Sequence, residues 1–389
     1  MLEIFPDPHP DPRLSIPFNA ARVLPDDNES VPDLLRHVLP SPLTTSYRLS
    51  ISPWSDSPPF NITLPVLATH LVPPKVAVDK LLSEVADLPL AVQSIHRAAI
   101  LPGDTLPERL PIWILSFWQQ VYKTRQLRHQ WNTCRKWVTS KPCAGVNLLD
   151  RLDQTLLNVR WQGYLNGLRR DRCVKDIFDL LSNLELNSGQ INDLLELIEN
   201  KLVASSDGIA PPHLVAPTEL ALLLTSSYEN RDIAGHRKRP LQISIEDDLI
   251  GGRKSSVASV AWISSFGCGH WVSYTVNPAS LCIAYGDSLG KPIPEMLLAV
   301  LQWWLLDIRE KMNLTTTGLV VVNPLPVTSQ DDDFSCGILA TNSIGHHLLY
   351  ETLPLVGQDP ISIKTYRTER TIEILMLDAE FVRVDSQKK

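Results

Sequence analysis

Cysteine is scarce in this chain: six in 389 residues, at positions 134, 143, 173, 268, 282 and 336. That density excludes a small disulfide-stapled scaffold and fits a reducing compartment. No CxxC pair occurs. Cys268 with His270 is the nearest approach to a metal-binding pair, and without a second pair no zinc site is expected. A long apolar run is also missing. The longest, Met296 to Leu306, contains Gln302, is too short to span a bilayer and reads as a helix buried against a sheet. The first residues, MLEIFPDPHPDPR, are acidic and proline-rich, unlike a signal peptide. Nor is there a positive excess: 36 Lys and Arg face 43 Asp and Glu, a net charge of −7, which argues against nucleic acid as the main partner. No internal repeat is found. The expectation from these absences is a soluble intracellular protein, of nucleus or cytoplasm, with no membrane association, no cofactor and no metal.

What the chain does have is enough apolar material, 44% of residues, and enough length for two cores. Twelve of its 31 prolines lie in the first 60 residues, which predicts an extended or loop-like start. Residues 76–99 show helical periodicity broken at Pro89. Residues 108–139 predict the clearest long helix, with Trp113, Phe117, Trp118, Val121 and Tyr122 as an apolar stripe, followed by Lys123, Arg125, Arg128, Arg135 and Lys136. This basic and aromatic face is either a docking surface for an acidic partner or a scaffold helix with a solvated flank, the second being the plainer reading. Residues 205–217 and 230–240 read as surface loops, and His236 to Arg239 in the second is short for a nuclear-localisation patch. Residues 366–384 predict a closing helix. The expected division is a proline-rich, mainly helical region over 1–170 and a second domain over 175–385.

Between Gly269 and Gly337 three chemically loaded residues stand in distinct contexts. His270 opens the alternating run WVSYTV, a predicted strand. Seventeen residues on, Asp287 ends a second short strand that breaks at Gly286, and residues 318–322 predict a third strand. Cys336, another 49 residues on, opens the apolar helical run CGILATNSIGHHLL. A cysteine at a helix N-terminus meets unpaired amides and the positive end of the dipole, which favour the thiolate. A histidine near neutral pH can take and return its proton, and an aspartate can hold the other imidazole nitrogen. Gln330, on the loop before Cys336, can donate to an oxyanion beside the Cys336 amide. Each residue alone has a structural reading, in packing or loop capping. Together they describe a thiol hydrolase acting through an acyl-enzyme.

The order His270–Trp271, Asp287–Ser288, Gln330, Cys336–Gly337 resembles the ubiquitin-like-protein proteases of the Ulp/SENP type, over roughly residues 175 to 385. The resemblance implies an α+β papain-like fold with the triad in the permuted order His, Asp, Cys. It implies cleavage after the C-terminal glycines of SUMO or a relative, with Trp271 covering the channel that holds them. In the family the residue before the nucleophile is usually Asp, here Ser335, and a W-L-x-D-like motif opens the domain. The counterpart here begins at Leu186, which takes the place of the Trp wall and implies a wider channel. The stretch LPIWILSFWQQVY also resembles leader regions of expanded Ulp-like families in mushroom-forming fungi, some associated with mobile elements. Two other functions share these residues: an acyltransferase on a related fold, or a modifier-binding or mobile-element accessory protein with an inactive site.

Overall fold

The structure is a computed structural model. It describes residues 11–43, 53–97, 108–141, 145–206, 212–233, 237–251, 257–266, 269–314 and 318–387. Two compact units are present. The first comprises residues 1–133 with 159–163, and the second residues 134–158 with 164–389. The expected boundary near 170 thus differs from the observed one: residues 134–158 belong to the larger unit.

The first unit is mainly helical, with α1 (Phe18–Ala21), α2 (Val31–Arg36), β1 (Trp54–Ser55), α3 (Leu64–Thr69), α4 (Lys75–Val85), β2 (Ser94–His96), β3 (Arg109–Pro111) and most of α5 (Ile114–Thr139). Among the described residues of the proline-rich start, Pro12 and Pro32 occupy first helical turns, where a missing N–H costs nothing. In α2, Pro32 sits in a first turn closed by a Ser30–Asp33 capping box. The periodicity predicted over 76–99 gives helix only to Val85, and Ser94–His96 joins a three-stranded antiparallel sheet in the order β1-β2-β3; residues 98 and 99 lie outside the described ones. The long helix likewise starts at Ile114, not 108. Leu110 precedes Pro111, which favours extended backbone, and residues 109–111 pair with β2. The stripe predicted on α5 is core: Phe117, Trp118 and Val121 are buried with Leu81, Val85, Ile95 and Leu110. The indole of Trp118 donates to His70, and Tyr122 donates to the Pro73 carbonyl at 2.6 Å.

In the second unit α6 (Val146–Leu156), β4 (Tyr164–Leu165) and β5 (Arg172–Cys173) precede α7 (Ser188–Ser205), β6 (His213–Val215), α8 (Leu220–Glu229) and α9 (Pro240–Ile250). Then come β7 (Ser259–Phe266), β8 (His270–Asn277), β9 (Cys282–Gly286), α10 (Glu295–Lys311), β10 (Val321–Pro324), α11 (Cys336–Leu348) and α12 (Pro360–Gln387). The architecture is α+β, around a five-stranded sheet in the order β10-β9-β8-β7-β6. The three central strands are antiparallel, and the two edge strands are parallel to their neighbours. The stretch expected as loop over 205–217 therefore contributes the edge strand β6, the described residues 237–239 precede α9 in the predicted loop, and the third strand begins three residues later than predicted.

Alternation along β8 sorts its side chains between two covered faces. Val272, Tyr274 and Val276 pack with Trp262, Val300, Leu301 and Trp304 of β7 and α10. On the other face Ser273 reaches α11, its hydroxyl 3.1 Å from that of Ser343. Polar Ser273 is tolerated there because it also donates to the Gly286 carbonyl at 3.2 Å. Gly286 allows this: a Cβ at 286 would sit 2.6 Å from the Ser273 oxygen. Two helical layers thus clamp the sheet, and α11 brings its N-terminus to the mouth of β8.

Candidate active site

The sheet register places the first pair. Ser273 faces Gly286 across the β8–β9 ladder, so Asp287 emerges opposite Val272 and on the same face as His270, two residues along. Diagonal neighbours of this kind are within reach of long side chains, and the His270 Nε2 lies 2.8 Å from Asp287 Oδ1. Nδ1 is the nitrogen left for chemistry. Asp287 is held on three sides: Oδ1 also accepts the Leu289 N–H at 2.7 Å, and Oδ2 accepts the Tyr285 hydroxyl at 3.2 Å. Tyr285 is in turn fixed by its neighbours. Trp262, Tyr274 and Tyr285 stand in register on adjacent strands, with successive ring centroids 5.3 Å apart. Burial first, then the negative charge of Asp287, pushes the Tyr285 phenol up, so it remains a donor throughout the physiological range.

Cys336 is the first residue of α11 and 3% exposed. Burial raises its thiol above the ordinary cysteine value. The backbone N–H groups of Trp271 and Gly337 both lie against the sulfur and act the other way, while the charges of Glu185 and Asp332 add to the rise. The Trp271 amide belongs to the residue after His270, so the sulfur lies against the backbone next to the one that carries the imidazole. The loop entering α11 is shaped by Asp332, whose carboxylate accepts the backbone N–H groups of Phe334 and Ser335 at 3.0 and 2.7 Å and the Ser335 hydroxyl at 2.6 Å. Ser335, the residue before the cysteine, is thus anchored by an acid three positions upstream.

Gln330 is locked from both ends of its amide. Its Oε1 accepts the Ser288 hydroxyl at 2.9 Å, and its Nε2 donates to the Asp332 carbonyl. Its backbone N–H donates to the Ser288 carbonyl at 2.8 Å. The loop after β9 and the loop before α11 are thereby joined. In this arrangement the amide hydrogens are directed at Asp332.

Trp271 and Leu186 are brought together, but not as two walls of an open groove. Trp271 is 8% exposed and donates its indole N–H to the Leu186 carbonyl at 2.7 Å. Leu186, expected as a channel wall, is 2% exposed. The reason is local. Asn187 and Gln190 form a capping box at the start of α7, and Leu186 and Ile191 occupy the two positions of a hydrophobic staple around it. Both staple residues converge with the Trp271 ring on Gly337: a Cβ there would meet Ile191 Cδ1 at 2.9 Å, Trp271 Cδ1 at 3.2 Å and Leu186 Cβ at 3.3 Å. Glu185, before Leu186, is exposed, and its Oε2 lies 3.3 Å from the Cβ position of Gly269, next to His270. Gly269 has φ +84°, a conformation that glycine adopts without strain and that turns the chain into β8.

Tyr285, Glu185 and Asp332 were not singled out from sequence. Tyr285 carried a usable signal, since a residue two before Asp287 on one strand shares its face. Glu185 had none, because its approach depends on how α7 docks. Among the described residues no three His, Cys, Asp or Glu gather as a metal site, and no helix is long and apolar enough to cross a membrane; Cys268 lies outside the described residues.

No family model and no curated protein matches the chain. Among solved structures it is similar to the C-terminal Ulp1 protease domain in complex with Smt3, the yeast orthologue of SUMO, at 18% identity over 59% of this chain and 96% of that one, with a TM-score of 0.42. It is similar to the Chaetomium thermophilum Ulp1-like SUMO protease catalytic domain at 13% identity, over 60% and 89%, TM-score 0.39. A third is the Xanthomonas campestris effector protein XopD bound to ubiquitin, at 16% identity over 48% and 92%, TM-score 0.30.

Proposed function

We propose that this chain is a cysteine peptidase that cleaves after the C-terminal glycines of a ubiquitin-like modifier, SUMO or a relative. The observation that carries the reading is the His270–Asp287 pair at 2.8 Å beside a cysteine that opens a helix and receives two backbone N–H groups. In this reading the Cys336 thiolate adds to the carbonyl of the last glycine, and the oxyanion is met by the Cys336 amide and a Gln330 amide hydrogen turned from Asp332. His270, charged after taking the thiol proton, gives that proton to the departing amine as the C–N bond breaks. Water then enters, loses a proton to His270 and attacks the thioester, and Cys336 leaves with that proton. Asp287 keeps the imidazole oriented and favours its charged form.

In this reading Trp271, whose ring packs on Gly337 and whose indole bonds the Leu186 carbonyl, limits the approach to Cys336 to residues without side chains. The fold in this reading is papain-like, and the residues of the second unit suffice for the chemistry without a cofactor. The test is a panel of SUMO, NEDD8 and ubiquitin probes carrying C-terminal electrophiles. One probe should label wild-type protein at Cys336, and Cys336→Ser should bind the same modifier without turning it over, with a loss of several orders of magnitude in hydrolysis. Binding without labelling of the wild type would instead assign the chain to non-hydrolytic modifier recognition.

A further inference from the structure

α12 directs three cations inward, Lys364, Arg367 and Arg370. Two have evident structural partners. Lys364 donates to the Ser140 carbonyl at 2.6 Å, and Arg370 pairs with Glu373 at 3.0 Å. Arg367 is different. It is 0% exposed, and among the described residues no carboxylate forms an ion pair with it. Its Nε donates to the Leu180 carbonyl at 3.1 Å, and its Nη2 to those of Asp179 and Leu184 at 2.7 and 2.8 Å. Its Nη1 is buried with no hydrogen-bond partner among the described residues.

The guanidinium carbon lies 5.9 Å from the ring centroid of Phe334, two residues before Cys336. Asp332 in the loop before Cys336 and Asp179 in the segment that Arg367 braces act on it electrostatically, as does Cys336 when ionised. Burial lowers Arg367 to about 10, which leaves it a cation at neutral pH. Burying a guanidinium without an ion-pair partner is costly, and a well-packed apolar residue would fill the space without that cost. The position therefore calls for a use of the charge.

We propose that Arg367 is a positioning residue for the nucleophile: it ties down the Asp179–Leu184 segment that leads to Glu185 and Leu186, and its unpaired charge stabilises the Cys336 thiolate from inside the protein. The inference rests on the reading of Cys336 as nucleophile. The positive charge of Arg367 would add to the helix N-terminus and the amides of Trp271 and Gly337 in offsetting burial and the charges of Glu185 and Asp332 at the thiol.

The test needs no modifier. The rate of Cys336 alkylation by iodoacetamide is followed against pH in the full chain and read at Cys336 by mass spectrometry, in wild type, Arg367→Lys and Arg367→Met. If the Met variant does not give a cooperative melt, Arg367→Gln, neutral but still able to donate, replaces it. The neutral variant should move the midpoint of the profile upward by about one pH unit, roughly a tenfold loss of rate at neutral pH. The Lys variant should stay within a few tenths of a unit of wild type. An unchanged midpoint in the neutral variant, or a Lys variant displaced as far as the neutral one, overturns the proposal. A chain that alkylates as expected but cleaves no modifier would leave this inference standing and reject the peptidase reading.

Discussion

Gly337→Ala tests whether the meeting point of α7, α11 and β8 sets the geometry of the site. Gly337 is the second residue of α11, where alanine improves helix propensity by up to about 1 kcal/mol. Against that stands the space. The new methyl would lie 2.9 Å from Ile191 Cδ1, 3.2 Å from Trp271 Cδ1 and 3.3 Å from Leu186 Cβ. Ile191 can yield, because the atom concerned is the tip of a flexible side chain. Trp271 cannot yield as easily, since its ring is held by the 2.7 Å bond to the Leu186 carbonyl, and Leu186 Cβ moves only with its backbone. Overpacking of this kind costs about 1–3 kcal/mol, so the sign of the balance is set by the contacts and not by propensity. The expected outcome is a net loss of about 1 kcal/mol, seen as a fall of a few degrees in the melting temperature for a chain of this size. Function should suffer more than stability. Relief comes by shifting the start of α11 away from Trp271, and that shift carries Cys336 away from His270. Small misplacements at a reacting atom cost one to two orders of magnitude, so labelling by a modifier probe should slow by about tenfold or more. Both quantities are measurable on one preparation, by thermal melt and by probe-labelling rate. A variant that melts higher than wild type and labels at the same rate would refute the argument.

Three further outcomes follow from the site. Tyr285→Phe keeps the ring packed at a tilt against Tyr274 and removes only the donor to Asp287 Oδ2; kcat should fall by about fivefold, roughly 1 kcal/mol, with KM unchanged, and an unaltered kcat would show that Leu289 N–H and His270 hold Asp287 unaided. Glu185→Gln removes one of the charges that push the Cys336 thiol up; the alkylation profile should therefore move to lower pH, with faster reaction at neutral pH and a smaller difference at high salt, while an upward shift would contradict the placement of that carboxylate. Trp271→Ala deletes the indole bond to Leu186 and the ring packed on Gly337; kcat/KM on a Gly-Gly tail should fall more than about tenfold and rejection of a Gly-Ala tail should relax, and unchanged discrimination would show that another residue excludes the side chain.

The order of groups along the chain, the strand begun by His270, the strand ended before Asp287 and the helix begun by Cys336 were legible in the sequence. Each depends on periodicity, glycine breaks and terminal position, which are local properties. The α5 stripe was legible as a helix face for the same reason, and its burial could not be told from exposure until Leu81, Ile95 and Leu110 were seen against it. Leu186 shows where local reading ended. Its apolar side chain matched a wall, yet the Asn187–Gln190 capping box turned it into the staple of α7 and left Glu185 at the mouth of β8. Arg367 lies 31 residues beyond Cys336 on a helix whose pattern said only that it closes the domain. Its burial against the Asp179–Leu184 carbonyls exists because α12 is laid across that backbone. Sequence by itself determined which chemical groups were available and at which element ends they stood, since those follow from neighbours along the chain. Tertiary structure alone decided which acids act on the thiol and which side chains are spent on packing, since burial and Coulomb interactions act through space between residues far apart in the chain.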